Sequence, residues 1–180
     1  MSKYLIMCEG SNELEIIRIL LNSDLLTISS NDLIGLNPYH ARQISGNAQV
    51  RTELNIYPGN DVVVIRIGDV QNEPLNIPKE YECKITEIKK YCTKPELEML
   101  LIISEGMIDA FEKTKSTITP KEFSKKHISY GRKKYNNSTE FYRLYYGERP
   151  QMLVDAIREY KRLRKSHKRD ELYLADLLKK

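Results

Sequence analysis

The stretch Lys3-Tyr-Leu-Ile-Met-Cys-Glu-Gly-Ser-Asn-Glu13 decides how the rest of the chain is read. Tyr4 to Cys8 is a short apolar run of strand length, Gly10 permits a sharp turn, and Leu14, Ile17, Leu20 and Leu21 recur at helical spacing. The order is therefore strand, turn, helix. Glu9 falls at the carboxyl end of the strand and Glu13 in the first helical turn, so both can face the crevice where open α/β sheets bind ligands. A solvated Glu9, and a Glu13 that only complements the helix dipole, would account for the pair equally well. What stands at the other strand ends decides between these readings.

Asp61-Val-Val-Val-Ile-Arg-Ile-Gly-Asp69 is the clearest strand, a β-branched run of the kind buried on both faces of a parallel sheet. It ends in Gly68-Asp69, which places a second carboxylate at a strand's carboxyl end. Arg66 inside this run is out of character and calls for a carboxylate partner or a place near the strand end. Tyr81 to Cys92 alternates well enough for a weaker strand nearer the sheet edge. Thr93-Lys-Pro-Glu-Leu-Glu98 then opens a helix, with Pro95 in its first turn, Glu96 and Glu98 near its positive end, and Leu97, Leu100, Leu101 and Ile103 for packing. Residues 102 to 107 fit a continued strand as well as a helix. Leu25 to Ala48 reads as loops with at most a short strand or helix.

From Thr114 the character changes. Lys125-Lys-His127 and Arg132-Lys-Lys134 are interleaved with seven of the chain's twelve tyrosines. Pro150 can start a helix with Leu153, Ile157 and Tyr160 on one stripe and Arg158, Lys161, Arg162 and Lys165 elsewhere. A terminal helix from about Asp170 would use Leu174 with Leu177 or Leu178.

The 180 residues suffice for one domain with a real core, and 41% hydrophobic with 30% charged residues describes a globular chain. No apolar run approaches the roughly 20 residues of a membrane span, and acidic residues interrupt the N-terminal apolar stretch too early for a signal peptide. A cytoplasmic protein that does not enter membranes is expected. Cys8, Cys83 and Cys92 lack CxxC spacing and read as free thiols; His40, His127 and His167 are scattered, so neither zinc nor a histidine metal site is expected. There is no Walker A motif, which argues against an ATPase in this chain. Residues 1 to 120 hold 12 Lys/Arg and 17 Asp/Glu, net −5, whereas residues 121 to 180 hold 17 and 8, net +9. That polarity suits an enzyme that places divalent cations in one part and grips a polyanion with the other.

The three acidic junctions, in this order, resemble the Toprim fold, the catalytic domain shared by topoisomerases, primases and several nucleases. Glu9-Gly-Ser-Asn-Glu13 is similar to the EGxxE signature of Toprim domains in OLD-family nucleases and the small RloB-like proteins. Lys94-Pro-Glu-Leu-Glu98-Met-Leu-Leu resembles the RloB-like segment in which proline precedes a hydrophobic residue, a glutamate and a leucine-rich helix, and this alignment selects Glu98 over Glu96. Tyr130-Gly-Arg-Lys-Lys-Tyr135 and Asp155-Ala-Ile-Arg158 are similar to the basic C-terminal portion of those proteins. One departure stands out. The family's second motif is usually Asp-x-Asp, and here Asp69-Val-Gln71 puts an amide at the second place, with Glu73 two residues on as a substitute.

The resemblance implies an α/β fold: a Toprim-like, mostly parallel sheet flanked by helices over residues 1–115, with a basic, tyrosine-rich, mainly helical segment over 116–180 packed on it. It implies Mg²⁺ or Mn²⁺ held by Glu9 and Asp69 as principal ligands, with Glu13, Gln71 and Glu73 as further metal-site positions. Glu98 would be a ligand or base-orienting group, giving Glu9, Asp69 and Glu98 as the catalytic set; Glu9 acting as general acid or base is the alternative. Gln71, a neutral and weaker ligand, would lower metal affinity, leave a single metal, or mark an inactive member. The expected activity is phosphodiester hydrolysis of DNA or RNA, in defence against mobile elements. Lys126, Arg132, Lys133 and Lys134 would contact phosphates, and Tyr130 or Tyr135 would stack on an unpaired base. The alternatives are an inactive Toprim-like nucleic-acid-binding module, a different α/β enzyme acting on nucleotides or phosphoesters, and a partner subunit of an ATPase complex; self-association is the other partnership considered. The length excludes a complete topoisomerase, and a primase is not expected.

Overall fold

The computed structural model describes residues 2–69, 73–93, 96–163 and 172–180. Strand β1 (Lys3–Cys8) leads through Glu9-Gly10 into helix α1 (Ser11–Asn22), as the apolar periodicity predicts. The central strand β3 (Val62–Gly68) is buried at every position, which is why its sequence is β-branched throughout rather than alternating. Around these two lie β2 (Tyr39–His40), β4 (Ile85–Cys92) and β7 (Leu172–Tyr173), giving a five-stranded sheet in the order β2-β1-β3-β4-β7. Every pairing in it is parallel. The carboxyl ends of β1, β3 and β4 therefore emerge on one edge, which positions the residues that follow them.

Helices cover both faces. Residues of one parity on β1 and β3 (Ile6, Cys8, Ile65, Ile67) pack with α1, α3 (Glu98–Ser104), α6 (Thr139–Tyr146) and α7 (Pro150–Leu163). The other parity (Leu5, Met7, Val62, Val64) packs with Val50 and Leu54 of α2 (Ala48–Ile56). Helix α6 lies on α1 and α7 on α3. Short helices α4 (Ile108–Glu112) and α5 (Pro120–His127) and a two-stranded hairpin of β5 (Ser129–Tyr130) and β6 (Lys133–Lys134) complete the chain. The larger core draws on residues from Ile6 to Leu178, the C-terminal segment included.

Several sequence expectations are corrected or sharpened. Residues 98–104 are helical, which ends the strand alternative for residues 102–104. The weak strand starts at Ile85, after a 3₁₀ turn at Lys79–Tyr81. The loop region conceals β2, and α2 follows it. The expected terminal α-helix is instead β7 followed by a 3₁₀ turn, Leu174–Leu177. Leu174 and Leu177, three apart, lie on one face of a three-residue turn, and the Tyr173 N–H donates to Asp176 Oδ2 at 2.8 Å to start it. Pro95, Lys165, His167 and Asp170 lie outside the described residues. No helix among the described residues is long and apolar enough to cross a membrane.

Candidate functional site

Glu9 leaves β1 with its N–H donating to the Ile67 carbonyl at 2.8 Å, so it is held directly beside the end of β3. Its carboxylate lies over Gly68, where any Cβ would overlap it, and Gly10 is likewise overhung by the Glu13 carboxylate. Gly68 is thus required by close approach of Glu9, whose Cβ as well as its carboxylate stands in the way, whereas at Gly10 only the flexible end of Glu13 would have to move. Asp69 follows Gly68. Glu98 opens α3 and is 6% exposed.

The structure brings Glu9, Asp69 and Glu98 within electrostatic reach of Glu13. Burial raises the Glu13 carboxyl above the usual carboxylate range, and Asp69, Glu9 and Glu98, in that order, push it further; a hydrogen bond to its own backbone N–H opposes them. Burial also raises Glu96, with Glu98 and Asp69 adding to the effect. Glu96, which the family alignment passes over, is therefore a fifth member of the cluster, and its Oε2 accepts the Lys121 N–H at 3.0 Å at the start of α5. Its signal in the sequence was its place two residues before Glu98.

Raised carboxyl groups set a pH dependence. The folded protein holds the Glu13 proton to a higher pH than the unfolded chain, so this group's contribution to stability is greatest below the ordinary glutamate value of 4.5 and is lost as pH rises through the folded-state value. Glu13→Gln is uncharged throughout. In EDTA its melting temperature should gain on the wild type by a few degrees between about pH 5 and about pH 8, and thermal melts with a constant gap would contradict this.

Glu98 is held from the C-terminal segment. Tyr135, 2% exposed, donates its hydroxyl to Glu98 Oε1 at 2.6 Å and lies 3.2 Å from the Tyr142 hydroxyl. Burial, then the Glu98 charge, pushes the Tyr135 phenol far upward, so it remains a donor at any physiological pH. Asn137, two residues on, accepts from Asn12 Nδ2 at 3.0 Å, tying the same segment to the Glu9–Glu13 turn. The expectation that Tyr135 stacks on a base is overturned, because its ring is inside the core. Tyr135→Phe leaves the buried Glu98 carboxylate one donor short and should lower stability by about 1–3 kcal/mol. Urea unfolding checks this.

On the other side, Arg42 Nε is 3.6 Å from Glu9 Oε1, and the buried Arg66 donates from Nη1 to the Glu73 carbonyl at 2.8 Å; burial lowers its pKa, and the charges of Glu9 and Glu73 oppose this only in part. The odd arginine of β3 thus has carboxylates for company. Glu73 is exposed and lies with Arg66; Gln71 is outside the described residues. Of the expected phosphate contacts, Lys126, Arg132 and Lys134 are exposed, whereas Lys133 pairs with Glu140. Tyr130 packs edge-on against Tyr145 and lies under the Arg149 guanidinium, 4.5 Å from its ring centre.

Among the described residues, no three His, Cys, Asp or Glu side chains are grouped closely enough, as they stand, to hold a metal ion. The donor chemistry nevertheless fits Mg²⁺ or Mn²⁺: the cluster offers carboxylate oxygens, and burial keeps the nearby Cys8 thiol protonated, so it supplies no thiolate. Glu9, Glu13, Asp69 and Glu98 are the residues that could hold such an ion. Compared with known proteins, the chain matches no family model, no curated protein and no solved structure.

Proposed function

We propose that the chain is a divalent-metal-dependent nuclease that hydrolyses phosphodiester bonds of DNA or RNA. The observation that carries this reading is that Glu9, Asp69 and Glu98, from the segments that follow β1, β3 and β4 on one edge of a parallel sheet, all lie near enough to Glu13 to add to the rise that burial gives its carboxyl. Carboxylates kept at such separations repel, and a cation relieves the repulsion. When bound, Mg²⁺ or Mn²⁺ would supply water activation and charge stabilisation on the phosphate oxygens. Glu9 and Asp69 would be its main ligands, with Glu13 beside them. Glu98, fixed by Tyr135, would hold its orientation toward the attacking water. The exposed Lys126, Arg132 and Lys134 would contribute phosphate contacts. A role in defence against mobile elements, alone or with an ATPase partner, belongs to the same proposal through the Toprim resemblance.

A second reading, a Toprim-like module that binds nucleic acid without cutting it, is favoured by Gln71 in place of the second acid and by the spacing of the acids, no three of which form a closed group among the described residues. The two separate on one experiment. Labelled single-stranded DNA, duplex DNA and RNA are incubated with the protein in EDTA, Mg²⁺ or Mn²⁺ and resolved on denaturing gels. Metal-dependent products that Glu9→Ala abolishes support the nuclease; binding with no product under any ion supports the module.

A further inference from the structure

Beside the carboxylates, along the β2 edge of the sheet and between α1 and α2, lies a cleft of about 700 Å³. That volume is within the range of pockets that enclose small organic ligands, about 300–1,000 Å³. Its walls carry the exposed side chains of Arg18, Asn37, Gln49 and Thr52 and the His40 imidazole. The cleft is preformed. Asn47 Oδ1 accepts the Val50 N–H at 3.0 Å and caps α2, while its Nδ2 donates to the His40 carbonyl at 3.0 Å, so strand and helix are locked together.

Two contacts join this cleft to the carboxylates. The His40 ring Nε2 donates to the Glu9 carbonyl at 3.2 Å, and Arg42, two residues further, pairs with the Glu9 carboxylate. At its other end the cleft shares Ala48 and Thr52 with a recess of about 360 Å³ that Arg51 and Asn55 line. The charge distribution follows the same line. Of the five Lys/Arg in residues 1 to 70, Arg18 borders the cleft and Arg51 the recess, while Arg42 and Arg66 line a smaller pocket against Glu9, in a part of the chain that is otherwise acidic.

We propose that the cleft binds one unpaired nucleotide of a single-stranded nucleic acid, with its base among Asn37, Gln49 and Thr52 and its flanking phosphates on Arg18 and Arg42. Side-chain amides both donate and accept, as base edges do, and an exposed imidazole offers a stacking face. Arginines satisfy phosphates. The polar lining disfavours a lipid or an apolar peptide, and Glu53 on the same wall disfavours an isolated anion while accepting from an exocyclic amine. A paired base has its hydrogen-bonding edge occupied and does not enter. This assignment rests on the nuclease reading for the identity of the polymer, and it adds the strandedness and the path of the substrate.

Fluorescence anisotropy in EDTA tests it, with labelled single-stranded DNA and RNA of about twelve nucleotides, a duplex of the same sequence, and free nucleoside monophosphates as competitors. Arg18→Ala and Gln49→Ala change exposed side chains and leave the core intact. Each is expected to weaken single-strand binding about tenfold, and Arg18→Ala to reduce the salt slope by about one. Wild-type affinity in both variants, a duplex bound as tightly as the single strand, a free mononucleotide that outcompetes the oligonucleotide, or a wild type that binds no single strand would each overturn the cleft assignment. Cleavage is read separately in Mn²⁺. A protein that binds through the cleft and cuts nothing counts against the nuclease alone, and one that cuts with unaltered affinity in both variants counts against the cleft alone.

Discussion

Asp69→Asn is expected to slow the proposed phosphodiester cleavage by about 10³-fold or more while leaving the fold as stable as the wild type, or more stable. The two halves of this result have one cause. Asp69 follows a strand buried along its whole length, so its backbone is fixed by β3 and does not depend on its side chain. Its charge acts unfavourably on both Glu13 and Glu96, and the neutral isostere removes that repulsion. A proposed ligand of the divalent cation is lost at the same time. Initial rates in Mn²⁺ together with thermal melts in EDTA separate the possibilities: a drop in both would make Asp69 a structural residue, and unchanged rates would remove it from the catalytic set. Stability held or gained with activity lost is the pattern of a site whose geometry is maintained against its own electrostatics.

Phe141→Ala, by contrast, should lower stability by about 3–5 kcal/mol, the range for deleting a fully buried aromatic side chain. Phe141 is 0% exposed; its ring meets Tyr135 edge-on at 5.2 Å and stacks on Tyr145 at 5.7 Å between centres. The effect tests how the basic, tyrosine-rich segment relates to the rest. That segment supplies β7 to the sheet and α6 and α7 to the larger core, so its loss opens the core itself. Urea unfolding followed by circular dichroism should show one transition shifted as a whole. A loss below about 1 kcal/mol, or a separate early transition, would mean the segment packs loosely on an independent core. Because Tyr135 leans on Phe141, some activity should fall with stability even where the variant remains folded.

The strands that matter were legible because their signals are local. The β-branched run of Val62 to Ile67 and the apolar run before Glu9 fix two parallel strands, and the acids beyond them follow by position. Glu98 was legible through the resemblance, but its neighbour Glu96 was passed over, since nothing in the sequence tells which of two acids in one turn points inward. Tyr135 was misread for a physical reason. It follows Arg132-Lys-Lys134, a run of exposed or half-exposed cations, yet it is the position at which the chain leaves the hairpin and turns into the core. Helix α2 went unread because it buries only Val50 and Leu54, too few for a periodic signal. The tail misled by spacing alone, for Leu174 and Leu177 satisfy a three-residue turn as well as a helix. The β2 cleft had no sequence signature at all, being assembled from α1, β2 and α2 by packing.

Glu15 on α1 is 7% exposed at its side chain and is gripped by a fork from Arg143 on α6, Nε at 2.7 Å and Nη2 at 2.9 Å, across 128 residues of sequence. On a ribosome adding about 5–20 residues per second, the helix carrying Glu15 waits roughly 6–25 s for the arginine that covers it. Throughout that interval the nascent chain presents the apolar face of α1, Ile16, Ile17 and Leu20 among it, together with a carboxylate destined for burial. Slow elongation therefore prolongs the exposure, and the yield of active protein in cells should fall when translation between the two helices is slowed or when holding chaperones are depleted.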